Sequence, residues 1–193
     1  MRLSPKKALS MDINTINSIC VKHLGEKINI FFYGSYGANQ GGWIKIKNEY
    51  FPYNDYDILI VSDKYLKNKN NLIKLVKSKI LEQVKVQFID ITIKSAKEVK
   101  TLKSTVENYD MLNASKHIFG ENDFREYVKK IDKKNISLEE VEKLFFTRLW
   151  IFSGALTSYE KDKTFRLTQL AKALFAIVDS ILIDKNNYQS LYV

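Results

Sequence analysis

Cysteine, proline and histidine are scarce in this 193-residue chain, which contains one cysteine, two prolines and two histidines. A single cysteine, Cys20, excludes an intrachain disulfide framework and any cysteine-rich zinc site. This usage fits the reducing cytosol, so we expect a cytoplasmic protein. Both histidines lie far in sequence from the motifs described below, which gives serine–histidine hydrolysis little support.

Long uninterrupted apolar segments are also lacking. The first eleven residues include one proline and two lysines, without the apolar segment that is typical of a signal peptide. The longest apolar stretch, 167–183, contains Lys172 and Asp179 and predicts a packed helix rather than a membrane span. We therefore expect no membrane among the partners.

The chain does have a large apolar fraction and a positive charge. Hydrophobic residues make up 45% of it and aromatic residues 12%, which is enough for a sizeable core. The net charge of +9 permits attraction to nucleic acid. The basic residues are mostly scattered lysines, however, and this pattern is typical of solvated helix faces, so nucleic-acid binding is not favoured.

Two short apolar segments, 28–33 and 56–61, are rich in β-branched and aromatic residues and predict buried strands. The first segment ends on Gly34 and Ser35. Glycine lets the backbone approach a phosphate closely, and serine offers a hydroxyl and an N–H at a predicted helix start. This turn is therefore a candidate phosphate site.

Asp55 and Asp57 open the second segment, and alternation along a strand points both side chains to one side. Neighbouring carboxylates repel each other, and a divalent cation relieves that repulsion. Hard oxygen ligands of this kind suit Mg²⁺. A third predicted strand, 86–93, carries Asp90 among apolar neighbours, where an unpaired charge is costly. Three acids are thus expected to converge on one face of one sheet.

This combination over residues 28–93 resembles the nucleotidyltransferase superfamily of beta-type DNA polymerases, which includes minimal and aminoglycoside nucleotidyltransferases. The pattern consists of Gly-Ser after a strand, then Asp-x-Asp, then a single Asp within a later apolar strand. The gap between Ser35 and Asp55 is longer than in compact minimal members, and Gly37 stands where a later small residue is usual. The phosphate loop is thus expected to be elaborated.

The resemblance implies a reaction and a role for each residue. Gly34 and Ser35 would hold the β- and γ-phosphates of a nucleoside triphosphate such as ATP. Asp55 and Asp57 would ligate two Mg²⁺ ions, and Asp90 would complete the second metal site and help to remove the acceptor's proton. A nucleoside monophosphate would pass to an acceptor hydroxyl on a small molecule, sugar, protein or RNA, and pyrophosphate would be released.

Each motif residue also has an ordinary structural interpretation that the sequence leaves open. Asp55 could cap a turn after Asn54, Ser35 could cap a helix, and Asp90 could be a charge on an edge strand. Residues 36–54 are compatible with two structures, which the sequence does not distinguish. One is a hairpin or lid beside the site, and the other is a connecting loop.

Two amphipathic patterns follow in the last third, from Ser137 to about Tyr159 and from Phe165 or Thr168 to Ile183. The short connection between them predicts an antiparallel pair. The predicted fold is therefore α+β: a nucleotidyltransferase-like mixed β-sheet flanked by helices at 1–120, followed by a helical lobe at 121–193. The alternative function is a non-catalytic, antitoxin-like partner protein. In either case the helices could bind a partner chain or a second copy.

Overall fold

A computed structural model describes residues 1–53, 55–64, 66–126, 128, 130–157 and 163–189. The chain forms two compact units, the first drawn from 1–102 and 110–129 and the second from 103–109 and 130–191. Phe124 and Val128 pack into the core of the first unit beside Phe31.

The elements over residues 1–119 are α1 (Pro5–Leu24), β1 (Ile28–Tyr33), α2 (Gly34–Gly37), β2 (Trp43–Ile46), β3 (Glu49–Pro52), β4 (Tyr56–Ser62), α3 (Lys69–Gln83), β5 (Ile89–Ser95), α4 (Ala96–Lys100), α5 (Val106–Asn113) and β6 (Lys116–Phe119). The first unit is built on a four-stranded mixed sheet with the strand order β5-β4-β1-β6. β4 pairs with β5 in parallel and with β1 antiparallel, and β6 pairs antiparallel with the far side of β1. The α+β prediction is thus confirmed.

The two faces of this sheet carry separate apolar clusters, because side chains alternate along each strand. Ile30, Ile58 and Ile91 belong to one cluster with buried residues of α1 and α3. Phe31 and Leu59 belong to the other cluster, with residues from α4, α5 and the short 3₁₀ helix Phe124–Glu126. The strands predicted at 28–33 and 56–61 are both confirmed.

Cys20 lies in the first of these clusters, fully buried on α1. Burial raises the pKa of its thiol to about 12, so the sulfur stays protonated and unreactive at neutral pH. Cys20 therefore serves core packing.

Residues 43–52 form a hairpin, one of the structures that the sequence left open for this segment. β2 and β3 pair from Trp43↔Pro52 to Ile46↔Glu49, and Lys47 and Asn48 form the turn with φ angles of 47° and 66°. Positive φ at both central residues is typical of the turn that matches the twist of a hairpin. The prediction of a lid remains a prediction.

One predicted boundary is wrong, because the strand predicted at 86–93 is Ile89–Ser95. β4 continues to Ser62, whose hydroxyl bonds the backbone of Lys64, and α3 begins at Lys69. Phe124–Glu126 form a single 3₁₀ turn. Ser95 and Glu98 form a capping box at the start of α4.

The second unit contains two long helices, α6 (Leu138–Thr157) and α7 (Lys163–Asp184), which pack against each other. Val141, near the start of α6, and Ile183, near the end of α7, share one buried cluster. The helices are therefore antiparallel, as predicted. The predicted end of the first helix at Tyr159 lies outside the described residues. Within the described ranges, no helix is long and apolar enough to cross a membrane.

A buried ion pair links the first residues of the chain to α1 and β4. The Arg2 guanidinium donates two hydrogen bonds of 2.6 Å to the two carboxylate oxygens of Asp12. The Tyr56 hydroxyl donates to the same carboxylate at 2.8 Å. Burial, followed by the adjacent Asp12 carboxylate, raises the pKa of Tyr56, so that this hydroxyl stays protonated and available as a donor. The start of β4 is thereby fastened to α1.

We expect Asp12→Asn to lower the free energy of unfolding by about 3–5 kcal/mol, because it leaves the buried Arg2 guanidinium without its counter-charge. Urea denaturation followed by circular dichroism measures the change. Glu82→Gln is the matched control, since its ion pair with Lys79 is exposed to solvent and such surface pairs contribute little to stability. A loss in Asp12→Asn as small as that of the control would contradict the role given to this pair.

Candidate functional site

The pairing register places two of the predicted acids side by side. Asp57 of β4 lies opposite Asp90 of β5, and Tyr33 of β1 lies opposite Asp57. Paired residues on adjacent strands share a face of the sheet, and their strands lie about 4.8 Å apart. The carboxylates of Asp57 and Asp90 are therefore neighbours on the face that also carries Phe31 and Leu59.

The turn after β1 lies against the carboxylate of Asp57. Gly34 has a φ of +61°, and a Cβ atom built on it would lie 2.3 Å from the Oδ2 atom of Asp57. No side chain fits at this position while Asp57 keeps its place. The structure thus brings Gly34 of the predicted phosphate turn into contact with the Asp-x-Asp motif, across a gap of 22 residues that the sequence alone could not close.

Gly37 is required for packing. A Cβ atom on Gly37 would lie 2.4 Å from the carbonyl oxygen of Ala114 and 2.7 Å from that of Phe32. The short helix α2 is thereby held tightly against β1 and the segment before β6. Ser35 lies within α2, half-buried, and its carbonyl accepts a hydrogen bond of 2.7 Å from the backbone N–H of Gln40.

The acids differ in their exposure. Asp55, which directly precedes β4, and Asp57 are half-buried, whereas Asp90 is exposed. The expectation that Asp90 lies among apolar neighbours is corrected here, because β5 is an edge strand and Asp90 is only its second residue. Among the described residues, no three or more histidine, cysteine, aspartate or glutamate side chains are gathered closely enough to hold a metal ion. The three-acid ligand set remains a prediction.

An exposed aromatic residue, Phe88, directly precedes β5, two positions before Asp90. Phe88 is 50% exposed, and its carbonyl accepts a hydrogen bond from the backbone N–H of Tyr56, next to Asp55. The ammonium group of Lys77 lies 3.7 Å from the centre of the Phe88 ring. The sequence pattern does not reveal that Phe88 is exposed, because an apolar residue within a predicted strand is ordinarily assigned to the core.

His117 is engaged in packing. Its ring stacks on Phe31 with 4.7 Å between ring centroids, and its Nε2 atom lies 2.7 Å from the carbonyl oxygen of Phe119. These contacts agree with the low expectation for histidine chemistry.

Comparison with known proteins finds no matching family model and no matching curated protein. One similar solved structure is a crystal structure of a toxin–antitoxin with AMP-PNP. The two chains are 16% identical, the match covers 75% of this chain and 98% of the other, and the TM-score is 0.38. A likeness of this size assigns no function to this chain. The residues themselves define an α+β protein with a glycine turn placed against a pair of strand-borne carboxylates.

We expect Gly34→Ala to displace the Asp57 carboxylate, because the new methyl group would overlap it. The positive φ adds strain of about 1–3 kcal/mol to the folded state. NMR measures the outcome through the side-chain carboxyl signal of Asp57. Gly25→Ala is the matched control, since Gly25 also has a positive φ, of +87°, but has no atom within 4 Å of its Cβ position. An Asp57 signal that moves no more in Gly34→Ala than in the control would contradict the contact.

Proposed function

We propose that this chain is a magnesium-dependent nucleotidyltransferase. It would transfer a nucleoside monophosphate from a nucleoside triphosphate to an acceptor hydroxyl and release pyrophosphate. The contact between Gly34 and the carboxylate of Asp57 carries this proposal, because it unites the two halves of the predicted site. The register of Asp57 with Asp90 supports it further.

The donor set fits Mg²⁺. Two carboxylates on adjacent strands repel each other, and a divalent cation between them removes that cost. Carboxylate oxygens are the protein ligands that Mg²⁺ prefers, and it commonly takes only one or two of them together with phosphate oxygens and water. Asp57 and Asp90 would provide such a pair, and Asp55 would add a third carboxylate. When bound, Mg²⁺ would neutralise charge on the triphosphate and make the acceptor hydroxyl more acidic.

The chain's own residues would chiefly orient the reactants. Gly34 leaves the backbone of the turn free of side chains, so that its N–H groups and the Ser35 hydroxyl could approach the β- and γ-phosphates. Asp90 would accept the proton of the acceptor hydroxyl. The hydroxyl oxygen would then bond to the α-phosphorus as the bond from that phosphorus to the bridging oxygen breaks. The electron pair of that bond would leave with pyrophosphate.

Isothermal titration with the magnesium complexes of ATP, GTP, CTP and UTP tests this proposal. We expect at least one nucleotide to bind only when the divalent ion is present. Asp57→Asn should weaken that binding by at least the roughly 10- to 100-fold that substitution of groups around a metal site typically costs. Asp63→Asn is the matched control, because Asp63 is an exposed acid just beyond the other end of β4. Equal binding by Asp57→Asn and the native chain would contradict the assignment.

The second candidate function is that of a non-catalytic partner protein, and the exposed apolar side chains of the helical unit favour it. Trp150 on α6 is 82% exposed, and Leu167 and Leu174 on α7 are each 54% exposed. Solvent-exposed apolar surface of this extent is typical of an interaction site. Absence of nucleotide binding to all four magnesium complexes would favour this function over the transferase.

A further inference from the structure

Helix α6 carries apolar side chains on two opposite sides. Val141 and Ala155 are buried on the side that packs against α7. Phe146 and Trp150 are 65% and 82% exposed, and with Ser153 they line a surface concavity of about 520 Å³. Positions spaced by three and four residues share one side of a helix, so these residues form a continuous outer stripe. The outer stripe consists of Phe146, Leu149, Trp150, Ser153, Gly154 and Thr157.

We propose that the outer stripe of α6 is the interface of a homodimer, in which α6 packs antiparallel against α6 of a second copy about a two-fold axis near Trp150. This inference does not depend on the proposed reaction. An interface of this kind uses the same patch on both copies, so that patch must be complementary to itself.

The distribution of side-chain size along the outer stripe supplies that complementarity. Its first half carries the large Phe146 and Leu149, and its second half carries the small Ser153 and Gly154. With the axis at Trp150, Phe146 of one copy lies opposite Gly154 of the other. Nothing lies within 4 Å of the Cβ position of Gly154, so this site is open to receive a ring. A parallel arrangement would instead place large residues against large ones and small against small.

The charges at the two ends of the helical pair fit the same two-fold axis. α6 begins with Glu139, Glu140 and Glu142, all in or next to its first turn. α7 begins with Lys163 and Arg166, both exposed, and has no acidic residue in its first turn. Since α6 and α7 are antiparallel, the start of α7 lies at the end of α6. An antiparallel dimer therefore brings these glutamates of one copy to an end of the other copy where residues 160–166 carry a net charge of +1, from three basic and two acidic side chains.

The outer side of α7 lacks these features. Its large exposed residues, among them Leu167, Leu170, Leu174 and Ile181, are distributed along the whole helix and are not confined to one half. This side therefore specifies neither a direction nor a register for a second helix. It provides a control surface of similar hydrophobicity.

Sedimentation equilibrium of the full chain tests the dimer. We expect a monomer–dimer equilibrium in the native chain, loss of the dimer in Trp150→Asp, and retention of the dimer in Leu174→Asp. Both substitutions are at exposed positions, and circular dichroism checks that each variant folds. A native chain that is monomeric at all concentrations would overturn the proposal. A dimer that survives Trp150→Asp would also overturn the proposal, because the dimer would then form through a different surface.

Disulfide trapping tests the register. Cys20 is buried, so any disulfide between two copies must form through the introduced cysteines. Under mild oxidation we expect the double variant Phe146→Cys/Gly154→Cys to form covalent dimers, whereas each single variant should not. In the antiparallel register the two copies of residue 146 lie about 12 Å apart along the helix axis, beyond the reach of a disulfide. Efficient dimers of the single variant Phe146→Cys would indicate parallel packing and overturn the proposal. Absence of cross-linking in the double variant would overturn the register.

Discussion

The pairing register of β4 with its two neighbours determines where every candidate site residue of the first unit lies. A shift of one residue would turn Asp57 from one face of the sheet to the other and would put Tyr56 or Ile58 opposite Asp90. That shift is opposed on both faces, because Ile58 and Ile60 are fully buried against α1 and α3, while Leu59 is fully buried on the other side. The hydrogen bond from Tyr56 to Asp12 further fixes the start of the strand.

The same register explains why glycine occupies position 34. Tyr33 lies opposite Asp57, so the chain must turn immediately beyond the carboxylate, at a φ that side chains disfavour and in a space that a Cβ atom would fill. Packing alone accounts for the glycine. The proposed site would need the same feature, because a backbone without a side chain beside a carboxylate is what a bound metal–phosphate group would require.

Much of this architecture could be predicted, because it depends on local patterns of side chains that are visible in the sequence. The strands 28–33 and 56–61, the capping box at Ser95 and the antiparallel helices all depend on side chains within a few residues of each other. The ion pair between Arg2 and Asp12 could not be predicted, because it joins an N-terminal arginine without any periodic pattern to a polar position on an amphipathic helix. The sequence left the exposure of Asp90 open between a buried position and an edge-strand position, because alternation along a strand does not tell whether that strand is at the edge of the sheet. The outer stripe of α6 could not be predicted for a similar reason, because an amphipathic pattern identifies one apolar side of a helix and does not separate it from a second apolar side.

The central claim is that Asp57 and Asp90 share one divalent ion beside Gly34, and paramagnetic NMR with Mn²⁺ in place of Mg²⁺ tests it most directly. Mn²⁺ accepts the same oxygen ligands and broadens the signals of nearby nuclei. In the presence of a nucleoside triphosphate, the amide signals of Gly34, Asp57 and Asp90 should broaden at the lowest Mn²⁺ concentration, before those of other acidic segments. Broadening that begins instead at the acidic start of α6, or that affects all exposed carboxylates equally, would contradict the account.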